Sequence, residues 1–221
     1  MRNRHKLIVF DWDGTLMDSQ ARIVACLRAS ADDLGAERRS DAELADIIGL
    51  GLEEAWRALY PNAERELLAA MVERYRYHFL IADDTPSPLF PGVEALLAGL
   101  EERGYLLAVA TGKARRGLDR VLAESGLGHY FHATRCADET RSKPHPQMLL
   151  ELIEVTGVEA HETVMVGDTE YDMLLAHNAA TAAIAVSYGV HDIERLRCHR
   201  PLAEVDSLAG LLHYFGESLH E

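Results

Sequence analysis

Acidic side chains stand directly after two short apolar runs of the sequence. Asp11 and Asp13 follow the first run, and Asp168 and Asp172 follow a later one. Carboxylates that gather in one place raise one another's pKa unless positive charge lies among them, and a divalent cation would supply that charge. Oxygen ligands alone favour Mg²⁺ over zinc, and none of the 11 histidines stands at a metal-ligand spacing from these acids. The sequence therefore predicts a magnesium site.

Two other segments add a hydroxyl and an ammonium group. Thr111 is followed by Gly112 and Lys113, and Lys143 precedes Pro144. Any one of the four segments could be an ordinary turn, a helix cap or a surface lysine. All of them follow predicted strands, however, and open α/β sheets bind their ligands at the carboxyl ends of the strands. We therefore expect these groups to meet at one edge of a sheet.

The elements that would position these groups alternate along the chain. Short apolar runs rich in β-branched residues are separated by longer helical patterns, which is typical of an α/β fold with a parallel sheet covered by helices on both faces. Gly104, Gly126 and Gly157 each follow a helical stretch and precede an apolar residue, as a left-handed helix end requires. The predicted strands are Leu7–Phe10, Leu106–Ala110, His132–Cys136, Val164–Val166 and Ala182–Val186.

The interval between the first two strands is too long for one crossover helix. It contains several helical patterns and no convincing strand. Three of the seven prolines cluster in the segment Thr85–Gly92, where proline would stiffen a linker. We therefore predict an all-helical subdomain, residues 18–87, inserted into a core made of residues 1–17 and 88–221.

Composition limits the classes of partner. The 221 residues carry 22 Lys and Arg against 36 Asp and Glu, a net charge of −14, which disfavours nucleic acid and anionic membrane surfaces. No signal peptide is evident, and no stretch reaches the roughly 20 apolar residues of a membrane span. The three cysteines are odd in number and far apart, which predicts a reduced, cytoplasmic setting. A monomer and a homodimer both stay open.

The motifs, their order and the insertion after the first of them resemble the haloacid dehalogenase superfamily, in its phosphoglycolate phosphatase-like branch. The resemblance extends from Asp11 to Asp172 and through the insertion. It implies a Rossmann-like catalytic core with a mobile helical cap. It also implies Mg²⁺ as the cofactor and a small phosphorylated metabolite as the partner.

The resemblance implies catalytic roles for four residues. Asp11 would be the nucleophile that forms an aspartyl-phosphate intermediate. Asp13 would protonate the leaving oxygen and then activate water, and the one-residue spacing would let both carboxyl groups reach the same phosphoryl group. Thr111 and Lys143 would bind the phosphate oxygens. An acid at position 13 also favours phosphate esters over halides, because a halide leaves without a proton.

The resemblance implies further roles around the metal and the substrate. Asp168 would complete the metal site with a carboxylate oxygen of Asp11 and the main-chain carbonyl of Asp13, and Asp172 would support that site or orient Lys143. The positions expected to bind substrate or phosphate are Gly14, Gly112, Lys113 and Gly49.

Two features of the segment pattern bear on these assignments. The loop Gly49–Leu52 resembles the cap segment that contacts substrate in relatives, although a plain turn between helices would have a similar sequence. The segment Ala176–Ala180 lacks the glycine that relatives often carry before the following strand, which concerns a turn and leaves the chemistry unchanged.

The function expected from this resemblance is Mg²⁺-dependent hydrolysis of a small phosphate monoester. Two alternatives stay open at this point. A phosphomutase of the beta-phosphoglucomutase type would return the phosphoryl group to a sugar. A non-catalytic phospho-ligand sensor or receiver-like domain would share the acids, the hydroxyl and the lysine, although such a domain needs neither an acid at position 13 nor a cap.

Overall fold

A computed structural model describes residues 5–216, and their strands form one sheet. The six strands are β1 (Leu7–Phe10), β2 (Leu106–Thr111), β3 (Ala133–Cys136), β4 (Thr163–Gly167), β5 (Ala182–Val186) and β6 (Ala203–Val205). All neighbours are parallel, in the order β3-β2-β1-β4-β5-β6. This α/β, Rossmann-like architecture confirms the predicted fold class.

Helices connect these strands and fill the interval after the first of them. The α-helices are α1 (Gln20–Asp33), α2 (Asp41–Asp46), α3 (Leu52–Leu59), α4 (Arg65–Tyr77), α5 (Val93–Glu102), α6 (Arg115–Ser125), α7 (Gln147–Thr156), α8 (Glu170–Asn178), α9 (Ile193–Arg197) and α10 (Leu208–Gly216). A π-helical turn (His78–Ala82) continues α4, and two 3₁₀ turns lie at Leu127–Tyr130 and Ala160–Glu162. None of the helices within residues 5–216 is long and apolar enough to cross a membrane.

The central strand β1 is buried on both faces, which explains its uninterrupted apolar sequence. Ile8 and Phe10 point into the core on one face of the sheet, with Leu97 of α5. Leu7 and Val9 point into the core on the other face, with helix α7. The sheet is therefore packed on both faces, and the carboxyl ends of its strands lie at one edge between two layers of helices.

The segment between β1 and β2 is helical, as its sequence pattern predicts, and it has a hydrophobic core of its own. Trp56 and Met71 are fully buried in that core, which holds residues of α1, α2, α3 and α4. The two chain segments that join it to the sheet run side by side. Asp18 N–H donates to Pro88 O (2.8 Å), and Phe90 N–H donates to Leu16 O (3.0 Å). The two linkers therefore form one short antiparallel ribbon, with Met17 paired to Leu89.

The predicted strands are confirmed: β1 and β5 have the predicted bounds, and the ends of β2, β3 and β4 shift by one residue at most. One strand was missed: the prediction ended the sheet at Ala182–Val186, whereas β6 adds a further strand at the edge. It has only three residues, and none of them is fully buried, so its sequence carries no apolar run that would mark it. The predicted helix ends at Gly104, Gly126 and Gly157 have φ values of +80°, +72° and +68°.

The missing glycine before β5 has a structural consequence, because Ala180 takes the left-handed backbone conformation with φ +57°. A Cβ is disfavoured there by about 1 kcal/mol. We therefore expect Ala180→Gly to raise the free energy of unfolding by about 0.5–1 kcal/mol, measured by urea denaturation. Ala179→Gly is the matched control, since Ala179 has φ −91° and is buried, so this change should destabilise the protein. Equal effects of both variants would contradict the explanation.

Candidate active site

The register of the sheet brings the first and last acidic motifs together. Phe10 of β1 pairs with Val166 of β4, and Asp11 N–H donates to Val166 O at 2.9 Å. Asp11 and Asp168 thus leave adjacent parallel strands at the same edge. Thr111 is the last residue of β2, on the other side of β1. The predicted meeting of these motifs at one edge is therefore present.

Three carboxylates and one ammonium group form the centre of the site. Asp11, Asp168 and Asp172 are buried, and one carboxylate oxygen from each lies within 4.8 Å of the others. Lys143 Nζ lies 2.8 Å from Asp11 Oδ1 and 2.6 Å from Asp172 Oδ1, and its side chain is fully buried. The lysine therefore neutralises one of the three charges and leaves an acidic site.

The environment raises the pKa of Asp11, Asp168 and Lys143, which disfavours the charged form of the two acids and favours that of the lysine. Burial raises the pKa of Asp11 well above its ordinary value, Lys143 counteracts this, and the neighbouring acids add to it. Burial and the carboxylate of Asp172 raise the pKa of Asp168 to about 7. Burial alone would lower the pKa of Lys143, but the two carboxylates beside it outweigh burial and raise that pKa. The acids therefore need further positive charge to be ionised together at neutral pH.

Asp168 is held tightly from two loops. Its Oδ1 accepts from Thr15 Oγ1 (2.8 Å), and its Oδ2 accepts from the N–H of Val190 (2.8 Å). A Cβ placed on Gly14 or on Gly189 would lie 2.2 Å from atoms of Asp168. Gly14 also has φ +85°. Glycine at position 14 thus lets the loop after β1 turn against Asp168, while its expected contact with phosphate stays a prediction.

Asp172 orients Lys143, which is one of the two roles that the resemblance implies for it. Its Oδ1 accepts from Lys143, and its Oδ2 accepts from the N–H and the hydroxyl of Thr169, which begins α8 as a capping box. Both oxygens of Asp172 are therefore engaged by the protein. This arrangement fixes the lysine to the rigid start of a helix.

Asp13 lies apart from the three buried carboxylates. Its Oδ1 accepts from Ser19 Oγ at 2.5 Å and lies 2.8 Å from Lys113 Nζ. Asp13 and Lys113 both line a cavity between the helical insert and the sheet. The sequence placed Lys113 among substrate-binding positions, and the structure shows what it contacts: the carboxylate of Asp13 and, at 4.7 Å, the ring of Phe79.

Thr111 is completely buried, and its hydroxyl faces the loop that follows it. Its Oγ1 accepts from the N–H of Lys113 at 3.2 Å. Among residues 5–216, the proton of this hydroxyl has no acceptor.

The loop Gly49–Leu52 of the insert closes directly over this edge. A Cβ on Gly112 would lie 2.4 Å from Leu50 O and 2.7 Å from Gly49 O, so only glycine permits this approach of two backbones. Gly51 N–H donates to Ser142 Oγ at 2.7 Å, next to Lys143. Gly112 and Gly49 thus allow the insert to seat on the sheet, and direct contact with phosphate stays a prediction for both.

A second set of contacts joins the insert to helix α8 and to the loop that follows β5. Tyr171 Oη donates to Asp46 O at 2.9 Å, and His191 Nε2 lies 3.1 Å from the same oxygen. His191 Nδ1 accepts from the N–H of Glu170 at 3.1 Å. The sequence treated the histidines as core or surface residues, and His191 is a buried link between insert and core.

Sequence reasoning missed Ser19, Thr15 and the loop at Val190, although each contacts a predicted acid. Ser19 lies at the start of α1, and its closeness to Asp13 in sequence was the available signal. Thr15 contacts Asp168, which is far away in sequence, so no local signal pointed to that contact. Val190 acts through its backbone N–H, which leaves no mark in the side-chain sequence.

The site has the chemistry of a cation site. Neither carboxylate oxygen of Asp11, though buried, accepts a well-aligned hydrogen bond from residues 5–216. Lys143 approaches Oδ1 as an ion pair only. Asp11 Oδ2 has neither a hydrogen bond nor an ion pair from residues 5–216, and such a buried carboxylate oxygen is costly unless a cation binds it. Asp11 and Asp168 offer oxygen atoms alone, which fits Mg²⁺.

Comparison with known proteins agrees with this geometry. The family model of haloacid dehalogenase-like hydrolases matches residues 8–186. Over 207 residues the chain is 37% identical to probable phosphatase IndB of Dickeya dadantii, covering 92% of this chain and 90% of that protein. Over 218 residues it is 31% identical to phosphoglycolate phosphatase of Agrobacterium fabrum, with 96% and 93% covered.

Solved structures show the same architecture. A crystal structure described as a predicted phosphatase from Clostridium acetobutylicum matches with a TM-score of 0.86 and 26% identity, covering 96% of this chain and 99% of that one. Because the family model matches residues 8–186 and nearly full-length relatives are 31–37% identical, the chain belongs to the haloacid dehalogenase-like hydrolases, as an enzyme of their phosphoglycolate phosphatase-like branch.

Proposed function

We propose that this enzyme is a Mg²⁺-dependent phosphatase that hydrolyses a small phosphate monoester through an aspartyl-phosphate on Asp11. The observation that carries the proposal is the state of Asp11. Its carboxylate is buried at the sheet edge, its oxygens accept no aligned hydrogen bond from residues 5–216, and Lys143 lies 2.8 Å away. A carboxylate that the protein positions but does not hydrogen-bond is available to attack phosphorus.

In the first step, a carboxylate oxygen of Asp11 forms a bond to phosphorus as the bond from phosphorus to the leaving oxygen breaks. Charge spread over the other phosphoryl oxygens is stabilised by the ammonium of Lys143 and the hydroxyl of Thr111. Both groups are fixed in advance, by Asp172 and by the end of β2 respectively. Positioning and charge stabilisation of this kind supply most of the catalysis in phosphoryl transfer.

Asp13 supplies the proton to the leaving oxygen and later accepts one from the water that hydrolyses the aspartyl-phosphate. It lines the cavity between insert and core, where a leaving group and then water would enter. Ser19 fixes its carboxyl group from the side of α1. One group can serve in both steps, because it is deprotonated by the first step.

The carboxylates of Asp11 and Asp168 and the main-chain carbonyl of Asp13 would hold Mg²⁺. The cation would neutralise the acidic cluster and the phosphate charge. Residues 18–87 would act as the cap that excludes water and contacts the leaving group, over a core of residues 1–17 and 88–221. Phosphoglycolate, which names the relative from Agrobacterium fabrum, is one substrate to test.

Removal of the metal tests this proposal. We expect EDTA to reduce phosphate release from a panel of phosphate esters by about a hundredfold, and Mg²⁺ in excess to restore it. Release of inorganic phosphate, measured colorimetrically, also separates a hydrolase from a mutase. Undiminished activity after exhaustive chelation would contradict the metal assignment.

The effect of Mg²⁺ on the thermal stability of the protein is a second test of the metal site. A group whose folded pKa is raised stabilises the protein at low pH, and this contribution is lost as the pH rises through the folded pKa. For Asp168 the pKa rises from about 4 unfolded to about 7, so metal-free protein should lose stability across that range. Mg²⁺ should therefore raise Tm more at pH 7.5 than at pH 5. In Asp168→Asn, both the loss of stability with rising pH and the difference between the effects of Mg²⁺ on Tm at pH 7.5 and pH 5 should become smaller.

A further inference from the structure

The cavity beside Asp13 is large for the leaving group that the relatives' name suggests. It measures about 850 Å³ and lies between the insert and the core. Pockets for drug-sized ligands span roughly 300–1,000 Å³. The two carbons and carboxylate of glycolate would fill only a small part of this space. The cavity therefore fits a larger leaving group.

The cations of the cavity are already engaged or lie at exposed positions. Five carboxylates and three cations line it. Lys113 pairs with Asp13 (2.8 Å), and Arg76 pairs with Glu73 (2.6 Å). Arg116 is exposed at the beginning of α6. Glu53 is also paired, with Arg57 (2.9 Å), so the lining carboxylates without an ion pair among residues 5–216 are Glu54 and Asp138. An anionic leaving group would thus enter a space with two unpaired carboxylates and one unpaired cation, which disfavours it.

One wall of the cavity beside Asp13 is aromatic. The rings of Tyr75 and Phe79 are stacked, with centroids 5.6 Å apart and an angle of 19° between their planes. Burial, followed by the nearby carboxylate of Asp13, raises the pKa of Tyr75. Val72, from the same helix, also lines the cavity. Lys113 Nζ and the guanidinium of Arg22 lie over the ring of Phe79, at 4.7 and 4.9 Å from its centroid, so a ligand would contact Tyr75 and Val72 and not the faces of Phe79. Aromatic and aliphatic side chains of this kind bind apolar groups.

We infer that the substrate is a phosphate ester of a neutral alcohol with an apolar or aromatic portion, up to about the size of a nucleoside, bound against Tyr75 and Val72 beside Asp13. This inference rests on the proposed phosphatase function and specifies its substrate class. The unpaired carboxylates disfavour a second anionic group in the leaving alcohol, and Tyr75 and Val72 contact its apolar part.

A pair of esters that differ by one charge tests the inference. Benzyl phosphate and 4-carboxybenzyl phosphate carry nearly the same ring, and 2-phosphoglycolate and β-glycerophosphate serve as small anionic and small neutral references. We expect kcat/KM for benzyl phosphate to exceed that for 4-carboxybenzyl phosphate and for 2-phosphoglycolate by at least about tenfold. A smaller advantage is expected over β-glycerophosphate, which lacks the ring.

Substitution of one acidic residue of the cavity tests whether the cavity causes the preference for uncharged leaving groups. Glu54 lines the cavity, is exposed and forms no ion pair with residues 5–216. Glu54→Gln should raise the relative kcat/KM for 4-carboxybenzyl phosphate roughly two- to fivefold, the size of an exposed charge interaction. Glu66→Gln is the matched control, since Glu66 also lies in the first turn of an insert helix, is exposed and does not line the cavity. It should leave the ratio unchanged.

The outcomes separate the two proposals. Hydrolysis of β-glycerophosphate that depends on Asp11, together with equal or faster cleavage of the carboxylated esters, would overturn the substrate class alone. An unchanged ratio in Glu54→Gln would do the same. If no ester is hydrolysed in an Asp11-dependent manner, the phosphatase proposal fails, and the substrate class fails with it.

Discussion

Asp11→Asn is expected to reduce kcat/KM for every phosphate ester by on the order of 10⁴ or more, because an amide cannot form the aspartyl-phosphate. The substitution keeps the shape of the side chain and its place after β1. It also removes a buried carboxyl group whose pKa is raised by burial and by the neighbouring acids. Lys143 retains its contact with Asp172 at 2.6 Å. Folding should therefore be preserved while turnover is lost.

Two measurements accompany this prediction. Tm, measured by circular dichroism in metal-free buffer, should be equal to or higher than that of the wild type. Asp18→Asn is the matched control, since Asp18 is exposed in the adjacent linker and should keep full activity. Substantial turnover by Asp11→Asn in purified, folded protein would sink the assignment of the nucleophile.

The acidic edge could be predicted from the sequence because its residues lie at strand ends. In a parallel sheet, strands that run side by side end at the same edge, so the order of apolar runs places Asp11, Thr111 and Asp168 together without knowledge of any side-chain contact. The length of the interval after β1 likewise led to the prediction of an insert at residues 18–87, since these residues exceed any ordinary crossover.

Contacts that depend on loop closure could not be predicted in this way. The salt bridge between Lys113 and Asp13 joins loops after two different strands, and its geometry depends on the seating of the insert near Phe79. The backbone approach of Gly112 to Leu50 likewise becomes visible only when the insert is in place. Glycine in a turn motif has several explanations in a sequence, and coordinates decide among them.

Lys143→Met is expected to impair both catalysis and folding, unlike the change at Asp11. Methionine fills similar space but leaves Asp11, Asp168 and Asp172 buried without the ammonium that separates them. Removal of one partner from a buried ion pair costs about 3–5 kcal/mol. Loss of a charged phosphate donor costs on the order of 10²–10³ in rate. Urea denaturation and kcat/KM measure the two effects.

A second substitution separates the structural role of Lys143 from its catalytic role. In Lys143→Met/Asp172→Asn, one of the unpaired buried charges is removed, so much of the lost free energy of unfolding should return. Activity should stay low, because no ammonium faces the phosphoryl oxygens. Lys113→Met is the comparison, since Lys113 is also nearly buried and pairs with Asp13. Asp13 lines the cavity, where water can solvate its carboxylate, so Lys113→Met should lower the free energy of unfolding less than Lys143→Met does. Recovery of both stability and activity in the double variant would show that Lys143 acts only by neutralising Asp172, and that another group stabilises the charge on the phosphoryl oxygens.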